Sequence, residues 1–217
     1  MFDRRPLRHV DLYSDAGRLE ALYRDIDDPV AVAVICHPHP LDGGTLHNKV
    51  VFRAARAFEE MLVATIRFNF RGAGTSQGAH DKGEGEQRDF EAALAWIRKK
   101  HPGKPVFAGG FSFGSWVASR VACESPEVDG LFLLGAPINK YDLSYLRRCE
   151  KPMLLVHGSG DEFGDPEKLG ELVDQCKRAE LFIVEGADHF FANQLEAMQA
   201  MVKEWATEVL GDLGKAK

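Results

Sequence analysis

Gly110-Phe111-Ser112-Phe113-Gly114 joins an apolar run, Pro105-Val106-Phe107-Ala108-Gly109, to a helix-like stretch, Ser115-Trp116-Val117-Ala118-Ser119-Arg120-Val121-Ala122. A serine between glycines on a strand-to-helix hinge is the setting of a nucleophile elbow. The turn is so tight that a bulky side chain two positions before or after the serine would clash, so glycine stands at both. The serine is held in a strained backbone conformation with its hydroxyl above the sheet edge. The following helix aims its free N–H groups and positive dipole end at the same point. The plainer reading is a glycine-rich turn with an incidental serine. Two segments further along the chain separate the two readings.

Outward from the elbow, apolar runs alternate with amphipathic ones. Strands are predicted over Ala31–Cys36, Val63–Phe68, Val106–Gly109, Leu131–Leu134, Met153–His157 and Leu181–Val184. They are short, rich in β-branched residues and apolar on both faces, as parallel strands covered by helices must be. Two more polar pieces, Leu7–Tyr13 and Leu19–Asp25, read as an antiparallel hairpin turned by Asp15-Ala16-Gly17. Helical pattern falls on His47–Met61, Glu86–His101, Ser115–Glu124, Glu167–Cys176 and Asn193–Leu210. The alternation predicts one α/β domain over residues 1–217, a mostly parallel sheet with helices on both faces, and a frayed tail from Gly211 to Lys217. Only a short connection separates Gly135 from Met153, which leaves no room for a cap domain over the sheet edge.

Two loops supply an acid and a base. Gly158-Ser159-Gly160-Asp161-Glu162 follows the Met153 strand, and Glu185-Gly186-Ala187-Asp188-His189-Phe190-Phe191 follows the Leu181 strand. Both leave carboxyl ends of parallel strands, as Ser112 does, and those ends share the edge where open α/β sheets bind ligands. A serine hydroxyl is a weak nucleophile at neutral pH, so a base must take its proton, and His189 is the candidate. A carboxylate must then fix the imidazole tautomer and stabilise its charged form. Asp161 competes for that role with Glu162, Asp165 and Asp142. It comes soonest after a strand and is framed by Gly158 and Gly160, whereas Asp165 precedes Pro166 as a helix cap would; Asp142 stands in reserve. Asp188 reads as a brace for its own loop, and His157 as a locally bonded strand-end residue.

An oxyanion hole would take one backbone N–H from Phe113. A second must come from His37-Pro38-His39-Pro40-Leu41-Asp42-Gly43-Gly44, after the Ala31 strand. Pro38 and Pro40 carry no N–H, which leaves His39 and Leu41. His37-x-His39 with Asp42 also admits a metal-site reading, but the chain lacks a clear second ligand cluster, so no metal and no cofactor is expected. Arg67-Phe68-Asn69-Phe70-Arg71-Gly72-Ala73-Gly74-Thr75-Ser76 reads as a glycine-rich structural turn braced by Arg71, and Asp81-x-Gly83-x-Gly85-Glu86-x-x-Asp89 as support beside the site. Phe111 and Phe190 are candidates to line an acyl pocket.

The 217 residues carry a net charge of −6, and the Lys/Arg pairs Arg4-Arg5, Lys99-Lys100 and Arg147-Arg148 read as solvated surface, which argues against a nucleic-acid partner. The longest apolar run, Val30 to Cys36, is too short to span a bilayer, and the N-terminus leads into no signal-like apolar segment. Cys36, Cys123, Cys149 and Cys176 have no CxxC spacing and read as reduced thiols of a cytoplasmic protein. The sequence does not specify an oligomeric state.

Taken together, the motifs resemble those of the α/β-hydrolase superfamily, whose nucleophile, acid and base follow one another in this order. Within it, the chain closely resembles a group of small, lidless bacterial hydrolases related in style to dienelactone hydrolases. The resemblance rests on His37-Pro38-His39-Pro40 with Gly43-Gly44, Phe68-Asn69-Phe70-Arg71-Gly72, Gly110–Gly114 and Gly186-Ala187-Asp188-His189-Phe190-Phe191. It implies an α/β-hydrolase fold, a Ser112-Asp161-His189 triad and an esterase-like serine hydrolase acting on small or medium acyl esters. True dienelactone hydrolases use a cysteine nucleophile, so Ser112 departs from their substrate chemistry. Thioesterase or peptidase action by the same route, and a non-catalytic binding protein on this scaffold, are the alternatives.

Overall fold

The computed structural model describes residues 6–215. Arg4-Arg5 and the last two residues of the expected frayed tail lie outside them. Eight strands form one sheet: β1 Leu7–Ser14, β2 Gly17–Arg24, β3 Ala31–Cys36, β4 Val63–Phe68, β5 Val106–Phe111, β6 Gly130–Leu134, β7 Met153–Gly158 and β8 Ala179–Val184. Their order across the sheet is β1-β2-β4-β3-β5-β6-β7-β8. The β1–β2 hairpin is antiparallel, and β2 runs antiparallel to β4; all pairs from β4 to β8 are parallel. Among the described residues, four helices connect strands, α1 Lys49–Glu59, α2 Glu84–Lys100, α3 Phe113–Ala122 and α4 Pro166–Val173, and a fifth, α5 Leu195–Lys215, follows β8.

Strand alternation builds two cores. In β3, Val32, Val34 and Cys36 face a cluster shared with Phe90 of α2, Val117 of α3 and Leu169 of α4. Ala31, Ala33 and Ile35 face the opposite cluster, with Val50 and Phe58 of α1 and Met198 and Trp205 of α5. Side chains two apart share a face, so one apolar strand feeds both layers. Phe58 lies against Phe107 and Phe132, with ring centroids 5.3 and 5.0 Å away.

The chain leaves β3 towards β4 on one side and returns to β5 on the other, so the connections diverge at the carboxyl ends of β3 and β5. That divergence opens a crevice in an open parallel sheet. Between β6 and β7 there is only a short 3-10 turn, Ser144–Arg148, and among the described residues no cap domain stands over the crevice.

Several expected boundaries shift: α4 ends at Val173 rather than Cys176, and β8 begins at Ala179 rather than Leu181. β5 continues past Gly109 through Gly110 to Phe111, because Gly110 packs against the Cys36 backbone as a strand residue. Helix α3 starts at Phe113, directly after the serine, rather than at Ser115. Helix α5 runs on to Lys215, through Gly211 and Gly214, so residues 211–215 are helical rather than frayed; the buried stripe Val202, Trp205, Ala206 and Val209 anchors the helix ahead of both glycines. Among the described residues, no helix is long and apolar enough to cross a membrane.

Candidate active site

Ser112 sits at φ 53°, ψ −123°, a conformation that L-residues resist. The fold enforces it. The Ser112 N–H donates to the Leu134 carbonyl at 2.9 Å, and its own carbonyl accepts the Ser115 hydroxyl at 2.6 Å. A Cβ on Gly110 would stand 2.5 Å from the Cys36 carbonyl oxygen, and one on Gly114 would strike the His37 carbonyl. Glycine at both positions lets β5 and the start of α3 press against the end of β3.

Ser112, His189 and Asp161 stand in line at the carboxyl edge of the sheet. His189 Nε2 lies 2.9 Å from Ser112 Oγ, and His189 Nδ1 lies 2.7 Å from Asp161 Oδ2. The second Asp161 oxygen accepts the Phe163 N–H at 2.8 Å. Both His189 and Asp161 are buried. The loops that carry them are stitched together: the Gly160 N–H donates to the Ala187 carbonyl, and the Gly186 N–H to the Ser159 hydroxyl. The imidazole is held between the rings of Phe111 and Phe163, with centroids 4.8 and 4.6 Å away.

The competing acids are engaged elsewhere. Glu162 is exposed. Asp165 caps α4 through the Glu167 and Lys168 N–H groups. Asp142 is exposed and accepts the Ser144 N–H. Asp188 accepts the Phe190 and Ala192 N–H groups, bracing the loop that carries His189. His157 is fully buried; its Nε2–H donates to the Gly164 carbonyl at 2.9 Å while standing 3.5 Å from Asp161. Burial holds the His157 pKa below the usual imidazole value.

The loop after β3 is a short 3-10 turn, Pro40–Asp42. Its Asp42, Gly43 and Gly44 N–H groups are spent on the His39 and Pro40 carbonyls. The His39 backbone N–H has no acceptor among the described residues, and His39 lines the cavity beside Ser112. Leu41, the other expected donor, is 72% exposed and stands outside that lining. The Phe113 N–H opens α3, where a helix has no internal partner for it.

His37 is fully buried, and both its nitrogens are committed. Nε2 accepts the Phe70 N–H at 3.0 Å, so Nδ1 carries the proton and donates to the Pro38 carbonyl at 2.6 Å. Burial lowers its pKa to about 4. With no lone pair left, His37 cannot join His39 as a metal ligand. Among the described residues, no group of three or more histidine, cysteine or acidic side chains is arranged to hold a metal ion.

A cavity of about 320 Å³ opens directly over Ser112 and His189. Phe190, expected against substrate, lines it and is 54% exposed. Phe111 is corrected: it is fully buried beneath His189 and does not reach the cavity, because as the last residue of β5 it points into the sheet face under the base. Sequence reasoning missed Asn48, Lys140, Tyr141 and Phe163, which also line the cavity. Asn48 caps α1, Tyr141 stacks on Trp116 at 4.2 Å, and the Lys140 ammonium lies 4.0 Å over the Phe163 ring. None stands in a motif, so their place is visible only in three dimensions.

The support segments behave as read. The Arg71 guanidinium bonds Asp89 at 2.8 Å and Asp15 at 2.6 Å, and Asp89 also accepts the Arg71 N–H. Burial opposes the Arg71 charge, but these carboxylates outweigh it and raise its pKa. Glu86 accepts the Asp81 and Gly83 N–H groups at the start of α2.

A parallel α/β sheet with a strained serine, a histidine and an aspartate converging over its carboxyl edge defines the class of fold. The family of alpha/beta hydrolase domains matches residues 35–210, and the chain belongs to that family. An uncharacterised protein of Rickettsia prowazekii is 34% identical over 87% of this chain and 84% of its own. A protein of unknown function from Agrobacterium tumefaciens superimposes with a TM-score of 0.88 at 32% identity, over 94% of this chain and 97% of that one. A serine hydrolase without a lid from Xanthomonas campestris gives a TM-score of 0.85 at 30% identity, over 96% and 97%.

Proposed function

We propose that the protein is a serine esterase acting on small or medium acyl esters through a Ser112 acyl-enzyme. The carrying observation is the chain of hydrogen bonds from Ser112 Oγ through His189 to Asp161, at 2.9 and 2.7 Å, facing an open cavity. Membership of the hydrolase family and likeness to a lidless serine hydrolase support the reading.

His189 Nε2 takes the Ser112 proton as Oγ attacks the ester carbonyl. Asp161 accepts Nδ1–H and stabilises the imidazolium without itself being protonated. The Phe113 and His39 N–H groups receive the oxyanion; one such preorganised donor contributes roughly 3–4 kcal/mol to the transition state. His189 protonates the departing alcohol, then activates water to release the acid. A cavity of about 320 Å³ lies at the small end of ligand pockets, which favours short acyl chains.

The test is hydrolysis of p-nitrophenyl esters of increasing chain length by the wild type and Ser112→Ala, with fluorophosphonate labelling alongside. Turnover and labelling should both vanish in Ser112→Ala, with a preference for the shorter esters. Undiminished turnover in Ser112→Ala would remove the serine from the reaction. Labelling of Ser112 without turnover of any ester would move the substrate to thioesters or peptides.

A further inference from the structure

Strand β8 ends the sheet on one side, and among the described residues nothing pairs with its outer edge. The Met153 N–H donates to the Arg178 carbonyl and the Ser159 N–H to the Val184 carbonyl. Strand alternation therefore turns the polar backbone groups of residues 178, 180, 182 and 184 towards β7, and those of 179, 181 and 183 outwards. The edge is also apolar: Phe182 and Ile183 are each 37% exposed. Natural proteins blunt such an edge with prolines, bulges or inward charges, or they pair it. Ala179–Val184 contains no proline and continues in unbroken register beside β7.

The charges around β8 say what pairs with it. Lys177-Arg178 precede the strand and Glu185 follows it, all three exposed. Two copies laid parallel would set like charge against like; laid antiparallel, the basic end of each meets the acidic end of the other. Among antiparallel registers, one that faced Glu180 with its own copy would be repulsive. The register centred on Leu181 instead places Leu181 against Leu181, Ala179 against Ile183 and Lys177 against Glu185, with Glu180 facing Phe182. Its outward residues exchange about six backbone hydrogen bonds.

We infer that the protein forms a twofold homodimer in which two β8 strands pair antiparallel about Leu181, joining the two sheets into one. This places the carboxyl edges, and so the two cavities, on opposite sides of the joined sheet. Each site is complete within its own chain, so the dimer and the esterase reading stand or fall separately.

The experiment is light scattering after size-exclusion chromatography, combined with mild oxidation of single-cysteine variants. The wild type should elute at twice the chain mass. Ile183→Lys, at an exposed position, should be monomeric and still hydrolyse esters. Lys177→Glu and Glu185→Lys should each weaken the dimer, and the double exchange should restore it. Leu181→Cys should form a disulfide-linked dimer, because facing Cα atoms in a bonded pair stand about 5.5 Å apart. Phe182→Cys and the wild type, with its four free cysteines, should not. A monomeric wild type would overturn the proposal. So would a dimer that ignores Ile183→Lys, or one whose Phe182→Cys variant crosslinks in place of Leu181→Cys.

Discussion

Asp161 can be replaced by asparagine with little change in volume, yet the pair it forms with His189 would not survive. The carboxylate accepts Nδ1–H at 2.7 Å and leaves Nε2 free to take the Ser112 proton. An amide can present its own N–H to Nδ1 and trap the wrong tautomer. Asp161→Asn should lower kcat by roughly 10⁴-fold with an unchanged melting temperature; a drop of only a few fold would demote Asp161 to a structural residue. His37 gives a second test, in pH. Its pKa is near 6.5 when unfolded and about 4 in the fold. Between those values the unfolded chain binds the extra proton, so stability is full above pH 6.5 and declines as pH falls towards 4. The loss is on the order of 3 kcal/mol. Chemical denaturation across that range should show the decline, and His37→Gln should make it shallower, leaving the part due to His157, which is also fully buried; an equal slope in both would assign the decline elsewhere. The meeting of Ser112, Asp161 and His189 at one edge was legible in sequence because each lies just after a predicted parallel strand, in the loops at the carboxyl ends. Asn48, Lys140 and Tyr141 were not, because a cap, a solvated lysine and a stacked tyrosine look alike wherever they stand.

At the level of elements, the site depends on how closely α3 and β5 approach the end of β3. A methyl group on Gly114 would strike the His37 carbonyl and push the start of α3, with the Phe113 N–H, away from the cavity. Gly114→Ala should therefore cut kcat/KM by about 10²-fold, since a displacement near 1 Å suffices for that; full activity would mean that the elbow relaxes freely. Asn48→Ala removes the acceptor for the Val50 and Val51 N–H groups and should cost α1 about 1 kcal/mol in urea denaturation. Strand and helix order followed from apolar runs and their period, and β3 and β4 match their expected limits. Two of the ends that shifted lie where glycine misleads. Gly110 read as the start of the turn but is a strand residue against neighbouring backbone, and the tail from Gly211 read as frayed but continues α5 to Lys215. At Gly110 the boundary is set by packing against the Cys36 backbone, which a local pattern does not contain.

Across the molecule, one buried cluster ties distant parts of the chain to the region behind the cavity. Arg71 joins Asp15 of the β1–β2 turn to Asp89 of α2, and Asp89 is fully buried. Arg71→Ala would leave that carboxylate without its cationic partner and should cost about 3–5 kcal/mol; a loss below 1 kcal/mol would mean that the brace is dispensable. Sequence alone suggested the brace but not its partners, which are far apart along the chain and meet only when the hairpin folds over α2. The short path from Gly135 to Met153 has a chemical consequence of its own. An acyl group held on Ser112 would face bulk solvent, where water and dissolved alcohols reach it on equal terms. Its fate becomes a competition: in methanol–water mixtures, methyl ester should form beside free acid, in a ratio that climbs with the methanol present. The same openness that admits a substrate would make the protein a transferase in any medium rich enough in another acceptor.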